Sequence, residues 1–257
     1  MTRIIGLFSG KGGVGKTTLA SNLAYALTEL GEDVIALDAN LTTPHLGLHF
    51  GLHLVPNTIH DVLRGGIKLK DALYKHPYGF KVIPASMAVD ALRGVNTERL
   101  SEITLDLLGK TDFVILDCAP GLGAEAVSAI NATDEIIIVT NPDLPSVVDA
   151  LKTALIAKKL KKKVTGIVIN RVKNKRHEMA PKEIEEMVGS PVIASIPEDK
   201  RVAESVASKV PISDYGSDSP AAVEINRLAH NLVGKPFKYR KKIRVPILGR
   251  LVNWMNR

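Results

Sequence analysis

The residues Gly10-Lys11-Gly12-Gly13-Val14-Gly15-Lys16-Thr17-Thr18 lie directly after an apolar β-branched run and directly before a helical pattern. Glycine, four residues, then Gly-Lys-Thr is the spacing of a phosphate loop, and a strand before it and a helix after it are the setting that motif requires. Glycines let backbone N–H groups curl around a β-phosphate, and the helix terminus beyond them adds positive potential. Lys16 is placed to reach the β- and γ-phosphates, the Thr17 hydroxyl to ligate Mg²⁺, and Thr18 to reach the α-phosphate. The expected ligand is a magnesium-bound nucleoside triphosphate.

Such a loop needs a sheet behind it. Apolar runs predict strands over 3–8, 34–38, 80–84, 113–117, 135–140, 164–170 and 192–196. Ile136-Ile137-Ile138-Val139 is apolar at every position, which means a strand covered on both faces. Helical patterns at about 16–30, 97–108, 123–131, 145–160, 180–188, 198–208 and 220–233 fill the gaps. The alternation predicts an α/β fold, a doubly wound parallel sheet with helices on both faces. Ser219 can cap the last helix, Pro220 suits its first turn and Gly234 its end, so the domain is expected to span 1–234.

Charge divides the chain in the same place. The net charge is +7, yet eight of the 34 basic residues lie in 235–257, which holds no Asp or Glu. The remaining 26 stand against 27 acidic residues, so the body is close to neutral and is not a diffusely basic nucleic-acid-binding domain. The single cysteine, Cys118, supports neither an internal disulfide nor a cysteine-based cluster within one chain, and a reducing, intracellular setting is expected. No apolar stretch approaches the roughly 18 residues of a membrane span, and the start does not read as a signal peptide. His45, His49, His53 and His60 are close in sequence, but no carboxylate or cysteine joins them at ligand spacing, so they read as surface or core histidines.

Lys11 is not needed to bind a nucleotide in its own chain. With it, residues 11–18 resemble the deviant phosphate loop of the ParA/MinD group of ATPases. The resemblance covers about residues 3–234 and implies a mostly parallel sheet, ATP and Mg²⁺ as cofactors, and an ATP-sandwiched homodimer. In that dimer Lys11 would reach the partner's phosphates, supplying in trans the charge stabilisation that an arginine finger gives elsewhere. Asp117, ending the run Val114-Ile115-Leu116, would hold a water of the Mg²⁺ shell, and Gly121 would sense the γ-phosphate through its backbone N–H. Asp38 fits the first acidic position of the family's first switch. The second holds Asn40, where the family has an Asp that polarises the attacking water. An amide orients water but takes no proton, so slow hydrolysis is expected. Asn170-Arg171 resembles the family's strand-ending pair whose Asn reads adenine, and Ile196-Pro197-Glu198-Asp199 the loop against the purine.

Beyond Pro246 a short helix would place Ile247, Leu248, Leu251, Val252, Trp254 and Met255 on one arc and Gly249, Arg250, Asn253, Asn256 and Arg257 on the other. Beside the basic stretch 235–244, this reads as an amphipathic anchor for an anionic membrane, too short to bind firmly alone but effective in pairs. Docking on its own domain, on a partner groove or on nucleic acid are the alternatives for the tail. The MinD branch, with its C-terminal membrane helix, fits this arrangement best. It implies a cytoplasmic protein reversibly peripheral on the inner face of the cell membrane, with an activating or cargo protein the sequence does not identify. A ParA-type DNA-partitioning ATPase and a nucleotide-locked membrane scaffold are the rivals. Carriers of the Mrp or nitrogenase-reductase kind need cysteine pairs that this chain lacks.

Overall fold

The structure is a computed structural model describing residues 1–52 and 54–239. In chain order the elements are β1 Arg3–Phe8, α1 Lys16–Glu29, β2 Val34–Ala39, α2 Leu46–His49, α3 Ile59–Arg64, β3 Tyr74–Lys75, β4 Lys81–Ile83, α4 Leu100–Leu105, β5 Phe113–Cys118, α5 Ala124–Asn131, β6 Glu135–Thr140, α6 Leu144–Lys159, β7 Lys163–Val172, α7 Pro181–Val188, β8 Val192–Pro197, α8 Lys200–Ala207, α9 Ile212–Tyr215 and α10 Pro220–Leu232. The strands form one eight-stranded sheet in the order β3-β4-β2-β5-β1-β6-β7-β8. Only β3 runs antiparallel to its neighbour; the other pairings are parallel.

Strand alternation sends side chains to two cores. Ile4, Phe8, Ile35, Leu37, Val114, Leu116, Ile136 and Ile138 pack on one face beneath Ile59, Ile103, Ile130, Val147 and Ile184 of the helices there. Ile5, Leu7, Ala36, Ile115, Ile137 and Val139 face the other way, against Leu19, Leu23 and Leu27 of α1 and Ile225 and Leu228 of α10. This is why the strands read as unbroken apolar runs. The architecture is the expected doubly wound α/β sheet.

The last helix is capped as its sequence implies. The Ser219 side chain accepts from the Ala222 N–H, Pro220 opens α10, and Gly234 takes φ 68° just beyond it. The chain then stays on the domain for a few residues. Lys235 Nζ donates to the Leu30 carbonyl (3.0 Å) and to Glu32 Oε1 (2.9 Å), and the Phe237 ring meets the His230 ring at 5.0 Å. The expected amphipathic set Ile247, Leu248, Leu251, Val252, Trp254 and Met255 lies outside the described residues, as does His53.

Candidate nucleotide site

The phosphate loop runs from the carboxyl end of β1, in mid-sheet, to the amino end of α1. Gly15 caps that helix with φ 97° and no side-chain hydrogen bond, which leaves the first-turn N–H groups without a side-chain cap. Two glycines here are demanded by their surroundings. A Cβ on Gly10 would lie 2.5 Å from the Asp149 carbonyl of α6, and one on Gly15 would lie 2.2 Å from Asn170 Nδ2. Lys11, Gly12 and Gly13 are exposed at the crest, while Val14 is buried and anchors the loop.

Lys16 is only 7% exposed, and its Nζ donates to Ser9 Oγ at 2.8 Å; that hydroxyl in turn donates to the Lys11 carbonyl at 2.6 Å. Burial lowers the Lys16 pKa, while the Asp117 charge opposes the shift. Thr17 Oγ1 donates to Asp117 Oδ2 at 2.6 Å. Asp117 and Asp38 are register partners on β5 and β2, so two buried carboxylates stand side by side at the sheet's carboxyl edge. Burial pushes the Asp117 carboxyl up to about 6, against the Thr17 hydrogen bond and the Lys16 ammonium, which pull it down. Burial first, and the Asp117 charge second, hold Asp38 well above the usual carboxylate range even though Asp38 accepts backbone N–H bonds from Asn40 (3.1 Å) and Leu46 (3.0 Å).

One atom in this cluster points to a ligand. Asp117 Oδ1 is buried with no hydrogen-bond partner, a state shared among the described residues only by Asn141 Oδ1. Two adjacent carboxylates, a threonine hydroxyl and an unpaired oxygen are the hard-oxygen environment that a divalent cation accompanying phosphates takes. The residues fit Mg²⁺, with Thr17 and Asp117 as its holders and Asp38 behind them.

Beside the loop lies a cavity of about 510 Å³ lined by Gly15, Thr18, Asn170, Arg171, Pro197 and Glu198 among others, a volume within the range of small-molecule sites. Asn170 Nδ2 donates to the Val14 carbonyl at 2.7 Å, which ties the end of β7 to the loop. Arg171 has φ 59° and lies 4.0 Å from Glu198. The structure thus brings Asn170, Arg171 and Pro197 to the mouth of the phosphate loop.

Two expected residues have partners of their own. The Gly121 N–H donates to the Ser9 carbonyl at 2.9 Å, so it braces the loop's first residue. Asn40 is 6% exposed; its Nδ2 donates to the Thr43 carbonyl (2.5 Å), and its Oδ1 accepts from the Thr43 N–H (3.3 Å) and hydroxyl (3.2 Å). Sequence reasoning missed Ser9, Glu125 and the partners of His60. Glu125 accepts from Leu41 and Thr42, while His60 is fully buried, with Nε2 donating to the Leu41 carbonyl (3.1 Å) and Nδ1 accepting from the Ser86 N–H (3.0 Å). Among the described residues no cluster of His, Cys, Asp and Glu forms a separate metal site.

A phosphate loop at the central strand of a doubly wound sheet, with an acidic strand end beside it, defines a P-loop NTPase. The profile described as "ParA: NUBPL iron-transfer P-loop NTPase" matches residues 1–233. The chain belongs to the ParA/MinD family of P-loop NTPases, whose members are ATPases. It is 39% identical over 242 residues to an uncharacterised ATP-binding protein of Methanocaldococcus jannaschii, covering 94% of this chain and 92% of that one. It is also similar to the septum site-determining protein MinD of Pyrococcus horikoshii, solved with Mg-ADP (TM-score 0.87, 35% identity, 90% and 96% covered). The cell-division ATPase MinD of Pyrococcus furiosus superposes with TM-score 0.88 at 33% identity, over 91% and 99% of the two chains. Iron transfer through a thiol pair has no counterpart in this chain, whose one cysteine, Cys118, is fully buried.

Proposed function

We propose that the protein is an ATP-dependent dimerising switch that works at an anionic membrane surface and hydrolyses ATP slowly. The observation that carries the reading is the Asp38–Asp117 pair beside Lys16 and Thr17, with Asp117 Oδ1 unpaired. Held by Thr17 and Asp117, a bound Mg²⁺ would supply charge neutralisation to the nucleotide's phosphates. Lys16 needs only to exchange Ser9 for phosphate oxygens, and its buried setting strengthens that contact. The Asn170 edge of the cavity receives the adenine.

Hydrolysis is the weak step. The residue where the family carries a carboxylate for the attacking water is Asn40, which cannot accept the water's proton. Positioning and electrostatics remain, so turnover is below about 1 s⁻¹, under the usual range for phosphoryl transfer by kinases. Restoring the carboxylate with Asn40→Asp is expected to raise steady-state turnover by about tenfold or more. A turnover of several per second with native Asn40, unchanged in Asn40→Asp, contradicts the slow-switch reading.

Lys11 is exposed at the crest of the loop, free to reach a partner's phosphates across two sandwiched ATP molecules. The septum-site names of the solved relatives support a role in spatial positioning of the division machinery, through ATP-dependent recruitment, reversibly peripheral on the inner face of the cell membrane, and through an activating or cargo protein. The anchor is the basic amphipathic tail 235–257. A second reading, a nucleotide-locked membrane scaffold, is favoured by the closure of Asn40 on Thr43. Single-turnover hydrolysis separates the two, since a locked scaffold retains its ATP over hours.

A further inference from the structure

The turn between β2 and α2 is held by partners from distant parts of the chain. Glu125, in the first turn of α5, accepts through Oε1 from the Leu41 N–H and the Thr42 N–H (3.2 Å), and through Oε2 from the Thr42 hydroxyl (2.7 Å). His60 of α3 donates through Nε2 to the Leu41 carbonyl (3.1 Å), and its Nδ1 accepts from the Ser86 N–H (3.0 Å). Asp38 takes the Asn40 N–H and the Leu46 N–H at the two ends of the turn. Within this frame Asn40 is closed on Thr43, and its amide nitrogen and oxygen are both engaged.

The bonds to Glu125 differ from the rest in place. They are made to a carboxylate brought in from another element, and are stronger than the His60 and Thr43 contacts around them. They also link two loops at the carboxyl edge of the sheet: β5 runs from Asp117 through 118–123 into α5, while β2 runs from Asp38 into the turn that carries Asn40. A movement of either loop therefore stretches the same carboxylate. With the turn closed, Thr43 takes both acceptor positions of the Asn40 oxygen, so that oxygen can accept from a water only by giving up one of these bonds.

We propose that Glu125 is a positioning residue: it clamps the 40–43 turn shut, keeps the Asn40 amide on Thr43, and so restrains ATP hydrolysis until the clamp opens. The proposal rests on the reading of the site as an ATPase. It assigns the slow step to the release of one turn as well as to the missing carboxylate.

The test compares the full-length chain with Glu125→Ala, with Thr42→Val, which removes only the hydroxyl contact at an exposed position, and with Asn40→Ala alone and combined with Glu125→Ala. Single-turnover ATP hydrolysis, ADP affinity and amide exchange over residues 40–46 are measured on each. The expected result is faster exchange in the turn, an ADP Kd within about twofold of the parent, and hydrolysis raised by about three- to tenfold in Glu125→Ala and less in Thr42→Val. The gain is expected to vanish in the Asn40→Ala background, because the amide that opening releases is gone. A purely structural role for Glu125 would lower melting temperature and affinity together and would not depend on Asn40. Unchanged or slower hydrolysis with ADP affinity retained overturns the clamp alone, as does an equal gain without Asn40. If Glu125→Ala does not fold, Thr42→Val decides by the same readings. Failure of the parent chain to bind ADP overturns the ATPase reading itself, and the clamp with it.

Discussion

A carboxylate buried beside another, with one oxygen unpaired, opposes folding whenever it is charged. Asp117→Asn is therefore expected to stabilise the ligand-free protein at pH 8 by about 2 kcal/mol, a rise of roughly 5 °C in Tm. It should also remove most of the further stabilisation that Mg·ADP gives the parent; thermal melts with and without Mg·ADP check both halves. The sign follows from the direction of the shift. With its folded pKa raised to about 6, Asp117 favours the fold below about pH 4 and loses that advantage as pH rises through 6. His76 works the opposite way. It is stacked on Phe80 (4.6 Å between centroids) and Tyr78 (5.3 Å), and burial lowers its pKa to about 4. Its neutral form supports the fold above pH 6.5, and the support is lost as pH falls from 6.5 toward 4, on the order of 3 kcal/mol in all. His76→Phe is expected to flatten that acid limb in urea melts at pH 4.5 and 7. An unchanged pH dependence would show that His76 is not its source.

At the scale of elements, the phosphate loop depends on a close approach between α1's first turn and the end of β7. Gly15 has positive φ, and a side chain there would strike Asn170 Nδ2. Gly15→Ala is expected to weaken ADP binding at least tenfold while leaving the fold cooperative, measured by titration and by denaturant melts. The loop was legible because its chemistry is contiguous, and the buried parallel strands because every position in them is apolar. The two-residue strand Tyr74–Lys75 and the short helices Leu46–His49, Ile59–Arg64 and Ile212–Tyr215 were not predicted, being too short to show a period. The caps Thr58 and Gly65 around the second of these were signals that could have been used. The hold of Glu125 and His60 on Leu41 was invisible for another reason. Those partners come from elsewhere in the chain, and only the folded sheet brings them to one turn. The role expected for Asn40 was argued from its residue type, whereas its engagement with Thr43 is set by the turn around it.

At the scale of the whole molecule, the exposed Lys11 on the loop and the basic tail beyond α10 make one switch only if ATP brings two copies together. Among the described residues no helix is long and apolar enough to cross a membrane, and the proposed attachment is assigned to the tail. One short tail binds weakly, and two on a dimer bind with the benefit of effective concentration. Lys11→Ala is accordingly expected to keep ADP affinity within about threefold, since in the proposed dimer the lysine serves the partner's phosphates, yet to stay monomeric with ATP in light scattering. The most direct test of the central claim is co-sedimentation with anionic vesicles, comparing Mg·ATP with Mg·ADP for the full chain and for residues 1–242. The account predicts pelleting of the full chain with ATP, little with ADP, and none in either state for the shortened chain. Full-length protein that remains in the supernatant with ATP, or pellets equally with either nucleotide, would contradict it.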